Sequence, residues 1–188
     1  MSHLSFPKIS GKIVNLRELS TDDAITIVSL MNYEIAKYLY KVPYPYKFDD
    51  ALNFIKSSYK NFSLHNGITL GIEYKNTLES NLSLAGPIGI KEIDYVNKKA
   101  NIGYWMGKQY QGKGIATECI KLAINYAFDI LELEEISAYV FTDNNPSIRV
   151  LEKNRFVKTS EVNEYHPLSH RYRNSLIYIL KNKNNKLN

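Results

Sequence analysis

The stretch GKQYQGKG, residues 107–114, decides how the rest of the chain is read. It runs glycine, four residues, glycine, lysine, the order of a Walker A phosphate loop whose next position supplies a Ser or Thr hydroxyl to magnesium. Here that next position is Gly114. The loop is therefore shaped for phosphate but lacks the hydroxyl that a magnesium nucleotide requires. Behind it, residues 114–131 place Glu118, Lys121, Asn125 and Asp129 along one polar stripe, with apolar residues nearly everywhere else. That pattern predicts a mostly buried helix. A helix N-terminus offers unpaired N–H groups and about half a positive charge, so it can hold a diphosphate without a metal.

Upstream of the loop the hydrophobic period is two. GITLGIEYK, LAGPIGIKEIDY and ANIGYWMG predict three successive strands, the last two joined by a polar turn at VNKK. Before them come a strand over 12–19 and a helix over 20–31 with Ser or Thr as cap and acids in its first turn. VPYPY (42–46) holds two prolines that no helix interior tolerates, and 49–62 is amphipathic through Leu52, Ile55, Tyr59 and Phe62. Downstream, ISAYVFT (136–142) is a strand, and NNPSIRVLEKN starts a helix with Asn144 or Asn145 as cap and Pro146 in its first turn. FVKTSEV and RNSLIYIL close as strands. The expected fold class is α/β in the α+β sense: a mixed, largely antiparallel sheet flanked by helices.

Composition narrows the function classes. The 188 residues suit a single domain, 1–188, with 181–188 expected as a frayed polar tail. One cysteine, Cys119, excludes an internal disulfide and any cysteine-rich metal site. The absence of a long apolar run or a secretory h-region points to the cytoplasm and away from membranes. The net charge is +5, but Lys181, Lys183 and Lys186 lie in the tail, and without those three the balance is +2. No nucleic-acid partner is expected, since no helix-turn-helix or aromatic RNA-binding motif stands out.

Four readings of the loop compete. A dinucleotide fingerprint fails because its third glycine is Thr117. An ATPase keeps Asp143 as a Walker B acid but lacks the magnesium hydroxyl. A bare turn with no ligand is the third. The fourth fits the residues better: Gln111-Gly112-Lys113-Gly114-Ile115-Ala116 matches Q/R-x-x-G-x-G/A. Together with IGYWMGKQYQGKGIATECI, NNPSIRVLEKNRF, VPYPYKFDDALNFI and RYRNSLIYIL, it resembles the Gcn5-related N-acetyltransferase (GNAT) superfamily, in its RimJ/RimL branch. The resemblance runs over nearly the whole chain.

The resemblance implies acetyl-CoA as co-substrate, with no metal, and transfer of the acetyl group to a primary amine by direct attack in a ternary complex. A protein N-terminal α-amine is the first acceptor to consider; a polyamine, aminoglycoside or amino acid, or a non-catalytic CoA-binding module, stay open, as does a homodimer. It further implies that the strand ending at Trp105 and Met106 splays from the strand after the helix, with the pantetheine arm in the gap. Backbone groups of Trp105 and Met106 then bond the arm. Gln111, Gly112, Lys113, Gly114, Ile115, Ala116 and Thr117 hold the pyrophosphate. Asn144 contacts the arm, and Ser147 donates to the departing sulfur. Ser147 equally suits a first-turn residue that satisfies backbone, and Tyr104 and Trp105 equally suit ordinary strand aromatics facing opposite sides.

Two departures stand out. Many members carry Glu where this chain has Asn101, so the base is sought at Glu164 and His166, a histidine titrating in the useful range. The family usually has Gly where this chain has Arg155, so Asn154 is expected to take the left-handed conformation one residue early. The acceptor pocket is expected between residues 33–46, including Tyr38, Tyr44 and Tyr46, and a loop at 163–171.

Overall fold

A computed structural model describes residues 5–76 and 81–182. These residues form an eight-stranded sheet with strands β1 (Ile9–Ser10), β2 (Val14–Arg17), β3 (Gly67–Asn76), β4 (Asn81–Asp94), β5 (Lys99–Tyr104), β6 (Glu135–Phe141), β7 (Val157–His166) and β8 (Arg171–Lys181). The spatial order is β1-β2-β3-β4-β5-β6-β8-β7, with every neighbouring pair antiparallel except β5 and β6. Five helices accompany it: α1 (Asp23–Leu30), α2 (Tyr33–Ala36), α3 (Phe48–Ser63), α4 (Ile115–Asp129) and α5 (Asn145–Lys153). The mixed, largely antiparallel sheet flanked by helices is the architecture the sequence predicts.

The sheet has two differently dressed faces. On one, α4 buries Ile115, Cys119, Ile120, Ala123, Ile124 and Ala127 against Val14, Leu16, Ile88, Ile102 and Ile136. On the other, α1 and α3 form a second cluster from Leu19, Ala24, Ile27, Ala51 and Ile55, which meets Leu84 and the flank of Trp105. The helical spacing of those residues explains why each helix has one buried side. Among the described residues no helix is long and apolar enough to cross a membrane.

The parallel pair is short. β5 meets β6 only from Lys99↔Glu135 to Asn101↔Ser137, although β5 runs on to Tyr104 and β6 to Phe141. Beyond Asn101 the two strands part, and unpaired backbone on both sides opens a wedge in the sheet. On its other side β5 is tied to β4 by Trp105 N–H to Pro87 O at 3.3 Å and Gly107 N–H to Ala85 O at 2.9 Å. Gly86 permits this crossing: a Cβ there would lie 2.2 Å from Trp105 O, and its φ of 153° lies outside the range L side chains favour.

Several local expectations need correcting. Neither Ser20 nor Thr21 caps α1. The helix starts after Asp22, and the Asp23 carboxylate reaches back to accept from Ser20 N–H at 2.8 Å. Asp23 is also gripped by Arg17 at 2.7 and 2.9 Å. Burial pushes the Asp23 carboxyl up, but the Arg17 and Ser20 hydrogen bonds and the guanidinium charge outweigh it and leave the group below its usual range. Asn154 does not take the left-handed conformation: its φ is −91°, and Arg155 itself adopts φ 66°. The Asn154 side chain is occupied instead, donating to Val150 O at 2.9 Å.

Residues 163–171 are not a loop either. β7 extends to His166, a single 3-10 turn spans Pro167–Ser169, and β8 begins at Arg171. Lys181, expected in a frayed tail, ends β8 with its ammonium 3.8 Å from Glu135, and Asn182 N–H donates to Glu134 O. The remainder of that tail, 183–188, lies outside the described residues.

Candidate active site

A cavity of about 280 Å³ opens where β5 and β6 part. Its walls are the end of β5 (Tyr104, Trp105, Met106), the 110–117 turn, the first turn of α5 and the inner side of α2. Of the residues expected at a cofactor site, Trp105, Met106, Gln111, Gly112, Gly114, Ile115, Ala116, Thr117, Asn144 and Ser147 all line it. Elements far apart in sequence are thus brought to one cleft.

The turn is built by its glycines. Gly112 has φ 75° and Gly114 φ 80°, a conformation that costs an L residue roughly 1–2 kcal/mol. A Cβ on Gly112 would meet no protein atom within 4 Å, and one on Gly114 would meet only Ile13 Cδ1 at 3.9 Å. The protein therefore leaves open the space in front of both residues, at the point where α4 presents its unpaired N–H groups. An added methyl would project into the room a ligand would use. Gln111 secures the turn, its side-chain amide donating to Met106 O at 3.2 Å. Lys113 lies aside from the cavity, its ammonium 5.8 Å from the centre of the Tyr74 ring.

At the end of β5 the two expected backbone donors differ. Trp105 N–H is used by Pro87 O, whereas Met106 N–H makes no hydrogen bond among the described residues. Opposite them, Asn144 caps α5: its Oδ1 accepts from Ser147 N–H at 3.4 Å. The Ser147 hydroxyl is not spent on backbone. It accepts instead from the Tyr104 hydroxyl at 3.3 Å, a contact that bridges the two sides of the wedge.

Glu164 and His166 do not line this cavity. His166 is fully buried, with its ring edge-on to Phe141 at 5.1 Å. Its Nδ1 accepts from Ser169 N–H at 3.2 Å and lies 2.8 Å from Ser169 Oγ, and its Nε2 lies 3.3 Å from Leu39 O. A carbonyl can only accept, so Nε2 carries the hydrogen and Nδ1 is the acceptor. Burial, with the nearby charges of Arg173 and Arg171, pushes the ring below its ordinary value, although the Leu39 carbonyl works the other way. His166 thus joins the β7–β8 hairpin to the segment after α2. Glu164 pairs across the strands with Arg173, and residues opposite each other share a face of the sheet. Arg173 bonds Lys37 O, so that face is turned toward α2.

Three features escaped the sequence reading. Arg173 has a side chain 9% exposed; it donates to both Asp143 oxygens at 2.7 and 3.0 Å and stacks 3.8 Å from the Phe141 ring centre. It fastens α2, and with it Tyr38, over the cleft mouth. Tyr104 lay in a quoted motif, but its partner Ser147 is 43 residues away. The third is Glu92. A bulge in β4, with Glu92 at φ 53°, lets its carboxylate accept from the Asn101 side-chain amide. A carboxylate therefore stands beside residue 101 although none is at it.

Comparison with known proteins agrees with this geometry. Residues 14–157 match the family described as the acetyltransferase (GNAT) domain. The chain is 30% identical over 155 residues to the provisionally named ribosomal N-acetyltransferase YdaF of Bacillus subtilis (strain 168), covering 80% of this chain and 81% of that protein. It is 27% identical over 168 residues to spermidine N(1)-acetyltransferase of Escherichia coli (strain K12), covering 89% and 85%. The crystal structure of a probable acetyltransferase superimposes with a TM-score of 0.82 at 26% identity, over 94% of this chain and 98% of that one. Because that family match spans most of the sequence, the chain belongs to the GNAT acetyltransferases.

Proposed function

We propose that this N-acetyltransferase takes its acetyl group from acetyl-CoA and passes it to a primary amine by direct attack in a ternary complex. The observation that carries the reading is the glycine cradle. Gly112 and Gly114 hold left-handed turns before the α4 N-terminus, with open room where a Cβ would project. A diphosphate bound there needs no magnesium, because no phosphoryl group is transferred. The arm then follows the wedge. Met106 N–H, free of internal partners, is the donor for the thioester carbonyl, worth on the order of 3 kcal/mol at a developing oxyanion. Ser147 donates to the departing sulfur from the opposite wall.

For the acceptor we infer an α-amine. At pH 7.5 an α-amine of ordinary pKa is about one quarter neutral, a lysine amine only about one part in a thousand. The carboxylate that lines the cavity, Glu34, is paired with Lys37 at 2.6 Å, and no imidazole lines it, which favours the amine that needs least help. The Glu164 side chain forms no ion pair or hydrogen bond among the described residues, and it is the carboxylate we assign to receive the ammonium. His166 positions the hairpin that carries it. The name of the Bacillus relative, a ribosomal N-acetyltransferase, favours a protein acceptor. The spermidine relative favours a second reading, a polyamine.

The test is a panel of acceptors with acetyl-CoA: Ser- and Ala-started peptides, polyamines, aminoglycosides and amino acids. The highest kcat/KM should fall on an α-amine, and the acetyl group should map to it. Robust transfer to lysine side chains alone would overturn the assignment, and a polyamine as best substrate would establish the second reading.

A further inference from the structure

The Tyr104–Ser147 contact joins the two sides of the wedge at the cleft, and a structural explanation covers only the Tyr104 ring. That ring packs beside the main core cluster, and Phe would serve as well there. The hydroxyl is what remains. It ends 3.3 Å from Ser147 Oγ, with the phenol as donor. A serine hydroxyl has one hydrogen to give and two lone pairs to receive with. The Ser147 backbone N–H is already taken by Asn144, and no backbone carbonyl claims its hydroxyl hydrogen. With a lone pair filled from Tyr104, that hydrogen is left available to a partner in the cleft that Ser147 lines.

We propose that Tyr104 is a positioning residue for acetyl transfer, orienting and polarising the Ser147 hydroxyl so that it donates to the sulfur as the carbon–sulfur bond breaks. This rests on the reading of Ser147 given above. Hydrogen bonds in a chain strengthen one another, and a dry wedge magnifies the effect. The phenol does not surrender its proton. Burial pushes it up to about 12, the Ser147 contact working only partly against that, whereas an alkyl thiol lies near ~8.5. Transfer from phenol to thiolate is therefore uphill. The sulfur leaves as a thiolate held by a hydrogen bond, and Tyr104 remains a donor throughout the working pH range.

A double-mutant cycle tests this with Tyr104→Phe, Ser147→Ala and both together, each checked by melting temperature and by kcat and KM for acetyl-CoA. Ser147→Ala should lower kcat roughly ten- to hundredfold with acetyl-CoA KM nearly unchanged, as for a donor lost in the transition state. Tyr104→Phe should lower kcat about three- to tenfold, the worth of one neutral hydrogen bond, again at constant KM. In the Ser147→Ala background, Tyr104→Phe should cost less than about twofold, because its route to the sulfur is gone. Equal losses in both backgrounds, or a raised KM at unchanged kcat, would show that the hydroxyl only packs or binds the arm. Full activity in Tyr104→Phe beside a crippled Ser147→Ala sinks this inference and leaves the Ser147 reading standing. Full kcat in Ser147→Ala sinks both.

Discussion

A histidine near an acyl-transfer cleft invites reading as a base, since its ring titrates near neutral pH. At His166 burial redirects that chemistry: both nitrogens are engaged, and the ring is a tie between Leu39 and Ser169. Residue type was legible in the sequence, but burial and partners came from contacts spanning 127 residues. The same holds for Ser147, whose partner Tyr104 no local pattern could name. The depressed pKa of His166 has a consequence for stability. Its folded value lies below the unfolded one near ~6.5, so the unfolded chain takes up the proton first as pH falls. Its contribution is fully present above pH ~6.5 and is lost as pH drops from there toward the folded pKa. The carboxyl of Asp23, also depressed, acts at lower pH, as the unfolded carboxyl titrates around its ordinary value of about 3.9. The melting temperature of the wild type should therefore fall between pH 7 and 5. His166→Gln should melt lower at pH 7 but with a flatter pH dependence over that interval. An unchanged slope in the variant would mean that other groups set it.

Elements were more legible than residues, because period and punctuation are local. The alternation over 67–104, the glycine turn and the buried helix behind it appear in the sequence at nearly their structural bounds. What was missed lies where tertiary pairing overrides local signals. β8 draws β7 out to His166, so a polar stretch expected as loop becomes strand. Arg155 accepts a left-handed φ because α5 must end before Phe156 enters the core at 3% exposure. The α2 segment is held by cross-links of this kind, from His166 to Leu39 O and from Arg173. Arg173 bonds Lys37 O and Asp143 while its guanidinium lies on Phe141. Arg173→Ala should destabilise the fold by about 1–3 kcal/mol through the partners left unmatched. It should also loosen the α2 side of the cleft, raising KM for the amine while leaving KM for acetyl-CoA near its original value. Steady-state kinetics varying each substrate in turn would check this, and an equal rise in both KM values would count against a selective role for α2.

At the scale of the molecule, one break in a sheet organises everything else. Seven strand pairings hold eight strands together, and only the parallel one stops short, after Asn101↔Ser137. The cleft, the glycine cradle, the unpaired Met106 N–H and the Tyr104–Ser147 bridge all gather there. The order of elements and the loop motif made that arrangement readable from sequence; residues 33–46 and 163–171 were expected to flank the acceptor, but the His166 and Arg173 cross-links that join those segments carry no motif. We infer that the glycine cradle holds the diphosphate of CoA without a metal. Calorimetric titration of the protein with CoA in EDTA, with Mg-ATP as comparison, tests it most directly. Micromolar CoA binding without metal is expected, with no comparable binding of Mg-ATP, and with loss of CoA binding in a folded Gly114→Val variant, whose side chain fills the open room and whose strain costs some stability. Tight binding of Mg-ATP with none of CoA, or unchanged CoA affinity in Gly114→Val, would contradict it.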